Sequence, residues 1–163
     1  MSYFLHILTI PLAIIYSQMA EWFIHKYILH GLGKKRKSFW SFHWHAHHKN
    51  CRKFSNYDED YLNDWQGPPL REKIGLLALV LLHSPLVMYV PLFFITLIFC
   101  AIRYYRIHRL AHLNIHWGKS FLRSHYDHHM GKNQDANWGV TVEWVDKLFK
   151  TRIPYDEKKQ RGK

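Results

Sequence analysis

The residues that could do chemistry are the histidines. The chain has 14 of them in 163 positions, and most fall in four groups. His25 and His30 read HxxxxH. His43, His45, His47 and His48 include an HxxxHH. His108 and His112 read HxxxH, and His125, His128 and His129 read HxxHH. On an α-helix, positions three or four apart lie about 60° and 40° apart around the axis, near enough to converge on one ion. Five positions span about 140°, which predicts that His25 and His30 address two metals or bracket a pair. Imidazole is a neutral ligand suited to zinc, iron, copper or nickel. A lone HxxxH is more often a helix face than a site, but four such groups are not. A structural zinc needs only four ligands, so ten well-spaced histidines predict two metals. The isolated His6, His83 and His116 read as polar or packing residues. The zinc-protease pattern HExxH, a Gly-x-Ser-x-Gly nucleophile and phosphate-cradling glycine loops are absent.

The elements that must position these groups follow from where charge is missing. Neither residues 1–20 nor Ile74–Ile102 carries a charged side chain. About 18–20 apolar residues cross a hydrocarbon core of roughly 30 Å. The first stretch just qualifies, and the second exceeds one crossing. His83-Ser84-Pro85 supplies a turn at its middle, with Ser84 as an N-cap and Pro85 at the first helical position. The expectation is an all-α membrane protein: one N-terminal span plus a hairpin, with segments at about 3–20, 72–84 and 86–104, under a histidine-rich helical cap. Each hairpin leg is short, so it is either extended by flanking polar turns or dips only partway. Gly31 is expected to end the first helix.

Charge sets the expected orientation. Lys+Arg number 23 against 12 Asp+Glu, a formal net charge of +11. Lys26, Lys34–Lys37, Arg71, Lys73, Arg103, Arg106 and Arg109 flank the apolar stretches, which places the cap in the cytoplasm and the N-terminus outside. The N-terminus lacks the basic region and small-residue cleavage site of a signal peptide. The runs Lys34–Lys37 and Lys158–Lys163 read as solvated or headgroup-facing. No helix-turn-helix, zinc-finger or RNP-like pattern is present, so nucleic acid is not an expected partner. Cys51 and Cys100 make neither a CxxC nor a disulfide framework and fit a reducing, cytosolic face. One unit spans residues 1–163, without internal repeats.

The order HxxxxH, HxxxHH, HxxxH, HxxHH resembles that of the integral-membrane fatty acid hydroxylase/sterol desaturase superfamily. The likeness extends to Asn137-Trp-Gly-Val-Thr141 and Trp144-Val-Asp-Lys-Leu-Phe-Lys-Thr-Arg152, and covers roughly residues 21–152. Two departures stand out. Trp44 occupies the spot three before His47, so either His43 or His45 must stand in; HxxxHH spacing in related membrane diiron enzymes favours His43. The family's Gly before the closing Thr is Lys150 here. The chain also has fewer membrane residues than the usual four spans. The resemblance implies two irons, with zinc loading conceivable on isolation, held by His25, His30, His43, His47, His48, His108, His112, His125, His128 and His129. It implies O₂ as co-substrate and a separate electron donor of cytochrome or ferredoxin type. The substrate would be a lipid, such as a fatty acyl, sterol or carotenoid chain, that is hydroxylated or desaturated. The membrane would be a bacterial inner membrane or the endoplasmic reticulum. Glu21 and Asp127 could orient an imidazole or simply face solvent.

Two rival readings remain. A histidine-rich metal transporter or non-catalytic metal protein expects ionisable residues along the spans, where only His6 and His83 occur. A zinc hydrolase of lipids needs an acid/base carboxylate, for which Glu21 and Asp127 are the nearest.

Overall fold

A computed structural model describes residues 3–156 of the chain. The basic run Lys158–Lys163 lies outside the described residues. The architecture is all-helical, with no strand among the described residues.

Helix α1, Tyr3–Phe23, is built from the charge-free N-terminus and carries Pro11 inside it. It does not stop at Gly31. It passes into a π-helix, Ile24–Leu32, capped by Gly33, whose N–H donates to Ile28 O at 3.1 Å. A Cβ at Gly33 would lie 1.8 Å from the Leu29 oxygen, so only glycine fits this close turn. Over His6–Leu32 this is the one helix among the described residues that is long and apolar enough to cross a membrane. Only 11% of its apolar window is buried, unlike the core helix of a soluble protein.

A second π-helix, His43–His47, leads into α2, His48–Lys53, and then a 3-10 turn, Glu59–Leu62. Helix α3, Gly67–Leu82, starts on Pro68 and Pro69. The turn after it is a 3-10 helix, Ser84–Met88, and α4 runs over Pro91–Leu113. The second hairpin leg therefore begins at Pro91, later than 86, and Ser84 caps nothing with its side chain. A second proline resets the chain: Pro91 has no N–H to give the preceding turn and is at home in a first helical turn. At 16 residues, α3 is shorter than a full crossing needs.

Helix α1 packs along α4, and α3 folds back on α4. Tyr16 meets Phe93 at one end of the α1–α4 pair, which then leads to the histidines at the other. Leu77, Leu81, Leu82, Ile95, Phe99 and Ile102 point outward from the hairpin. The short helices α5 (Ile115–Phe121), α6 (Arg123–Met130) and α7 (Trp144–Leu148) complete the histidine end. The apolar core there is small, with Trp22, Trp138 and Val145 at its centre. What is buried instead is polar: α6 hides Ser124, His125, Tyr126, Asp127, His128 and His129. Such burial costs several kcal/mol per unpaired polar group, so these side chains must find partners.

Candidate metal centre

The buried histidines gather on one another. The ring nitrogens of His25, His30, His43, His48 and His128 lie within 4.8 Å of one another, and those of His47, His108, His112 and His129 do the same. All nine side chains are buried. His125 adjoins the second group, its Nε2 2.9 Å from His112 Nε2. The two groups touch: the His48 and His129 rings are 4.4 Å apart. The adjacent pairs His47–His48 and His128–His129 send one imidazole into each group, as successive residues pointing about 100° apart should.

The π-helices explain which histidines share a group. A π-turn closes by an i→i+5 bond, so the fifth residue returns to the same face. His25 and His30 therefore join one group rather than addressing two metals. His43 pairs in the same way with His48, whose N–H donates to His43 O, while His47, four positions from His43, goes to the other group. His45 lies outside both, its ring 3.1 Å from Lys34 O. His108 and His112, on regular α-helix, stay together. His125 and His128, three apart, do not. His6, His83 and His116 belong to neither group.

The outer nitrogens fix the tautomers. His25 Nδ1–H donates to Trp138 O at 2.7 Å, His128 to Ala136 O at 2.6 Å and His112 to Asn56 O at 2.9 Å. His47 donates to Asp58 at 2.7 Å and His108 to Glu72 at 2.7 Å. A carbonyl or carboxylate accepts only, so each of these five rings presents a bare Nε2 lone pair inward. His30 Nδ1 lies 3.4 Å from Asp135, and His48 Nδ1 lies 2.8 Å from the Gln134 amide.

The inward nitrogens converge. The Nε2 atoms of His30, His48 and His128 are 3.1 Å from one another, and His43 Nε2 lies 3.1 Å from that of His25 and 3.2 Å from that of His48. Ligand nitrogens 2.1 Å from one ion, at right angles, lie about 3.0 Å apart. In the second group His47 Nε2, His108 Nε2 and both nitrogens of His129 are buried without a hydrogen-bond partner. Lone pairs that repel when bare fit a cation, and the all-imidazole donor set suits iron or zinc. Burial first, and the neighbouring imidazoles after it, lower the pKa of His43 and His48 well below the usual range. These rings stay neutral and available. The set His47, Cys51 and Asp58 is also compact, but His47 already gives its Nδ1–H to Asp58, and burial followed by the Asp58 charge pushes the Cys51 thiol up. It supports the second group and is no third site.

Neither carboxylate singled out in the sequence touches an imidazole. Glu21 accepts from Thr141 N and Thr141 Oγ1, both at 2.8 Å, and from Val140 N. Asp127 pairs with Arg123 at 2.8 Å and Arg152 at 2.7 Å. Both hold the closing segment. Asp146 does likewise, accepting from Trp138 N, Gly139 N and Trp22 Nε1. The imidazole-orienting side chains are Asp58 and Glu72, which local sequence did not mark. Burial opposes ionisation of Asp58, yet hydrogen bonds from His47, Asn50 and the Asp60 backbone outweigh it and lower its pKa.

The fatty acid hydroxylase family model matches residues 10–151. The chain belongs to the fatty acid hydroxylase family. No curated protein and no solved structure matches it. The family is membrane-associated and comprises lipid hydroxylases and desaturases, and the buried histidine groups are consistent with a histidine-box metal site. In this fatty acid hydroxylase relative a cavity of about 410 Å³ lies among α1, α3 and α4. Its wall is largely apolar, and it reaches His43 of the first group and His108 of the second.

Proposed function

We propose that this chain is a membrane diiron oxygenase that hydroxylates a lipid chain, with desaturation as the other outcome of the same site. The observation that carries the reading is the cavity, which ends on one histidine from each group. The ten histidines named above are its ligand set, with His43 rather than His45. Two irons held there would supply O₂ reduction and removal of hydrogen from an unactivated C–H bond, chemistry beyond acid–base side chains.

The chain's own residues do the rest. Leu76, Leu79, Val80 and Leu97 line a path that an alkyl chain fills and water does not favour. Asp58 and Glu72 hold the His47 and His108 rings so that Nε2 faces inward. The Trp138 and Ala136 carbonyls do the same for His25 and His128. We further infer that α1 spans the bilayer, that the α3–α4 hairpin dips into it, and that the histidine end faces the cytoplasm beside Lys34–Lys37 and Arg103, Arg106 and Arg109. Electrons come from a separate cytochrome- or ferredoxin-type protein.

Purified protein given reduced donor and ¹⁸O₂ should place label in a new lipid hydroxyl. Loss of two hydrogens without label would assign desaturation. Product oxygen drawn from water would overturn the oxygenase reading and favour a zinc hydrolase. Elemental analysis should find about two metal ions per chain.

A further inference from the structure

We propose that Tyr16 and His83 form a polar subsite at the far end of the cavity, which binds the hydroxyl end of an already hydroxylated lipid. The proposal deepens the reading of the cavity as a lipid site and rests on it. Both residues line the cavity, whose wall is largely apolar; of its polar neighbours, Ser17 donates to Ile14 O and Gln18 accepts from Trp144 Nε1. The Tyr16 hydroxyl lies 2.8 Å from His83 Nε2, and His83 Nδ1–H donates to Leu79 O at 2.7 Å. The imidazole proton is therefore spent on the backbone, and the tyrosine proton is spent on Nε2. What the pair still offers is the tyrosine oxygen as an acceptor. A hydroxyl can donate to it, whereas a ketone, an ester or a carboxylate has no proton to give. An ionisable side chain within an apolar stretch is costly and by default marks a site, and a bare polar end is expensive among hydrocarbon.

The geometry also measures the ligand. Glu72, which holds His108, and His83 are eleven positions apart on the α3 side of the cavity, or about 16 Å at 1.5 Å per residue. Carbon–carbon bonds of about 1.5 Å at roughly 111° advance about 1.25 Å each, so roughly 13 bonds cover the distance. A lipid anchored by its hydroxyl at Tyr16 presents a carbon about that far along the chain to the histidine end. The product would then carry oxygen at two separated positions.

Binding alone tests this, in nanodiscs, without oxygen or reductant. Trp40 lines the cavity with His43, so bromine brought to that end quenches its fluorescence. The bromoalcohol 14-bromotetradecan-1-ol should quench at about fivefold lower concentration than 1-bromotetradecane, as one net hydrogen bond allows. Tyr16→Phe removes a single oxygen and should make the two probes equal. His83→Leu frees the tyrosine proton, so that 14-bromotetradecan-2-one should gain on the alcohol. Trp40→Phe should remove the added quenching. Equal quenching in the unaltered protein, a preference that survives Tyr16→Phe, or an added quenching by the alcohol that survives Trp40→Phe overturns the proposal. No turnover is needed. A failed ¹⁸O experiment beside an intact alcohol preference sinks the oxygenase reading alone, and the reverse result sinks the subsite alone.

Discussion

The first histidine group leans on a loop, and the second leans on carboxylates. His25 and His128 donate to the carbonyls of Trp138 and Ala136, and His30 and His48 reach Asp135 and Gln134 in the same stretch. That stretch is fastened by Asp146, seven and eight positions on, and, at its Thr141 end, by Glu21 from far back in the chain. In the second group His47 and His108 donate to Asp58 and Glu72. Those carboxylates are themselves fixed, Asp58 by the Asn50 amide at 2.9 Å and Glu72 by the Tyr61 hydroxyl at 2.6 Å. Both acceptors orient an imidazole and raise its basicity, and the full charge of a carboxylate raises it more, making the ring a stronger donor to metal. Two sites built from neighbouring residues thus differ in what steadies them.

The largest effect should erase that difference. Burial, with the surrounding imidazoles, lowers the pKa of His43, His48 and His128 in the first group and of His112, His125 and His129 beside them; His128 is brought to about 4. The unfolded chain takes up protons near pH 6.5, before the folded one does. Stability is therefore complete above about pH 6.5 and falls with pH, each histidine contributing up to about 1.4 kcal/mol per pH unit until its folded pKa is reached. For His128 that window runs from about 6.5 to about 4. Metal-free protein should lose its helical signal cooperatively on acidification from pH 7.5 to 5, and bound metal should be released in the same direction. A melting temperature unchanged over that range would break the account for both groups.

Substitutions of the partners should sharpen the contrast. Glu72→Gln and Asp58→Asn keep the shape and remove the charge, so second-group metal affinity should fall about 10- to 100-fold while the first group keeps its ion. Asp135→Asn should change first-group affinity by less than about twofold. That carboxylate is 53% exposed, lies 3.4 Å from His30 and is already engaged by Lys34 at 2.6 Å. Chelator titration followed by elemental analysis resolves the two releases. Equal losses in all three variants would mean that the carboxylates do nothing the loop carbonyls do not.

Much of this centre was legible, and the remainder shows what spacing omits. The ten histidines, the uncharged stretches and the closing segment announced a buried histidine end beside apolar helices. The grouping was not legible, because α-helical angles were assumed where Ile24–Leu32 and His43–His47 wind as π-helix. No residue type in those segments declares a π-turn. Asp58 and Glu72 were also missed. Asp58 begins the run Asp58-Glu59-Asp60, and Glu72 sits between Arg71 and Lys73, so both read as solvated charge. Only folding puts Glu72 against His108, 36 positions away. Glu21 and Asp127 failed as imidazole partners for the converse reason: closeness along the chain put them beside histidines whose rings point elsewhere.

The smallest expected effect concerns the segment that steadies the first group. Helix α7 ends at Leu148 with Phe149 as its C-cap, and Lys150 follows with φ 55, in the left-handed region. Lys150 N donates to Lys147 O at 3.3 Å and Thr151 N to Asp146 O at 2.8 Å. These are the paired bonds of a Schellman cap, whose left-handed position favours glycine. Lys150 therefore stands where the family resemblance expects a glycine, and the backbone geometry accounts for that expectation. A non-glycine residue in this conformation costs about 1–2 kcal/mol, against roughly 0.5–1 kcal/mol of extra chain entropy lost by a glycine. Lys150→Gly should thus stabilise the protein by about 0.5 kcal/mol. Because Asp146 and Thr151 in this cap hold Trp22 and the loop that supplies Trp138 O, the gain should reach the first group. Chelator release from that group should slow slightly, while release from the carboxylate-held group stays the same. Equal slowing at both would show that the closing segment steadies the whole histidine layer rather than one half of it.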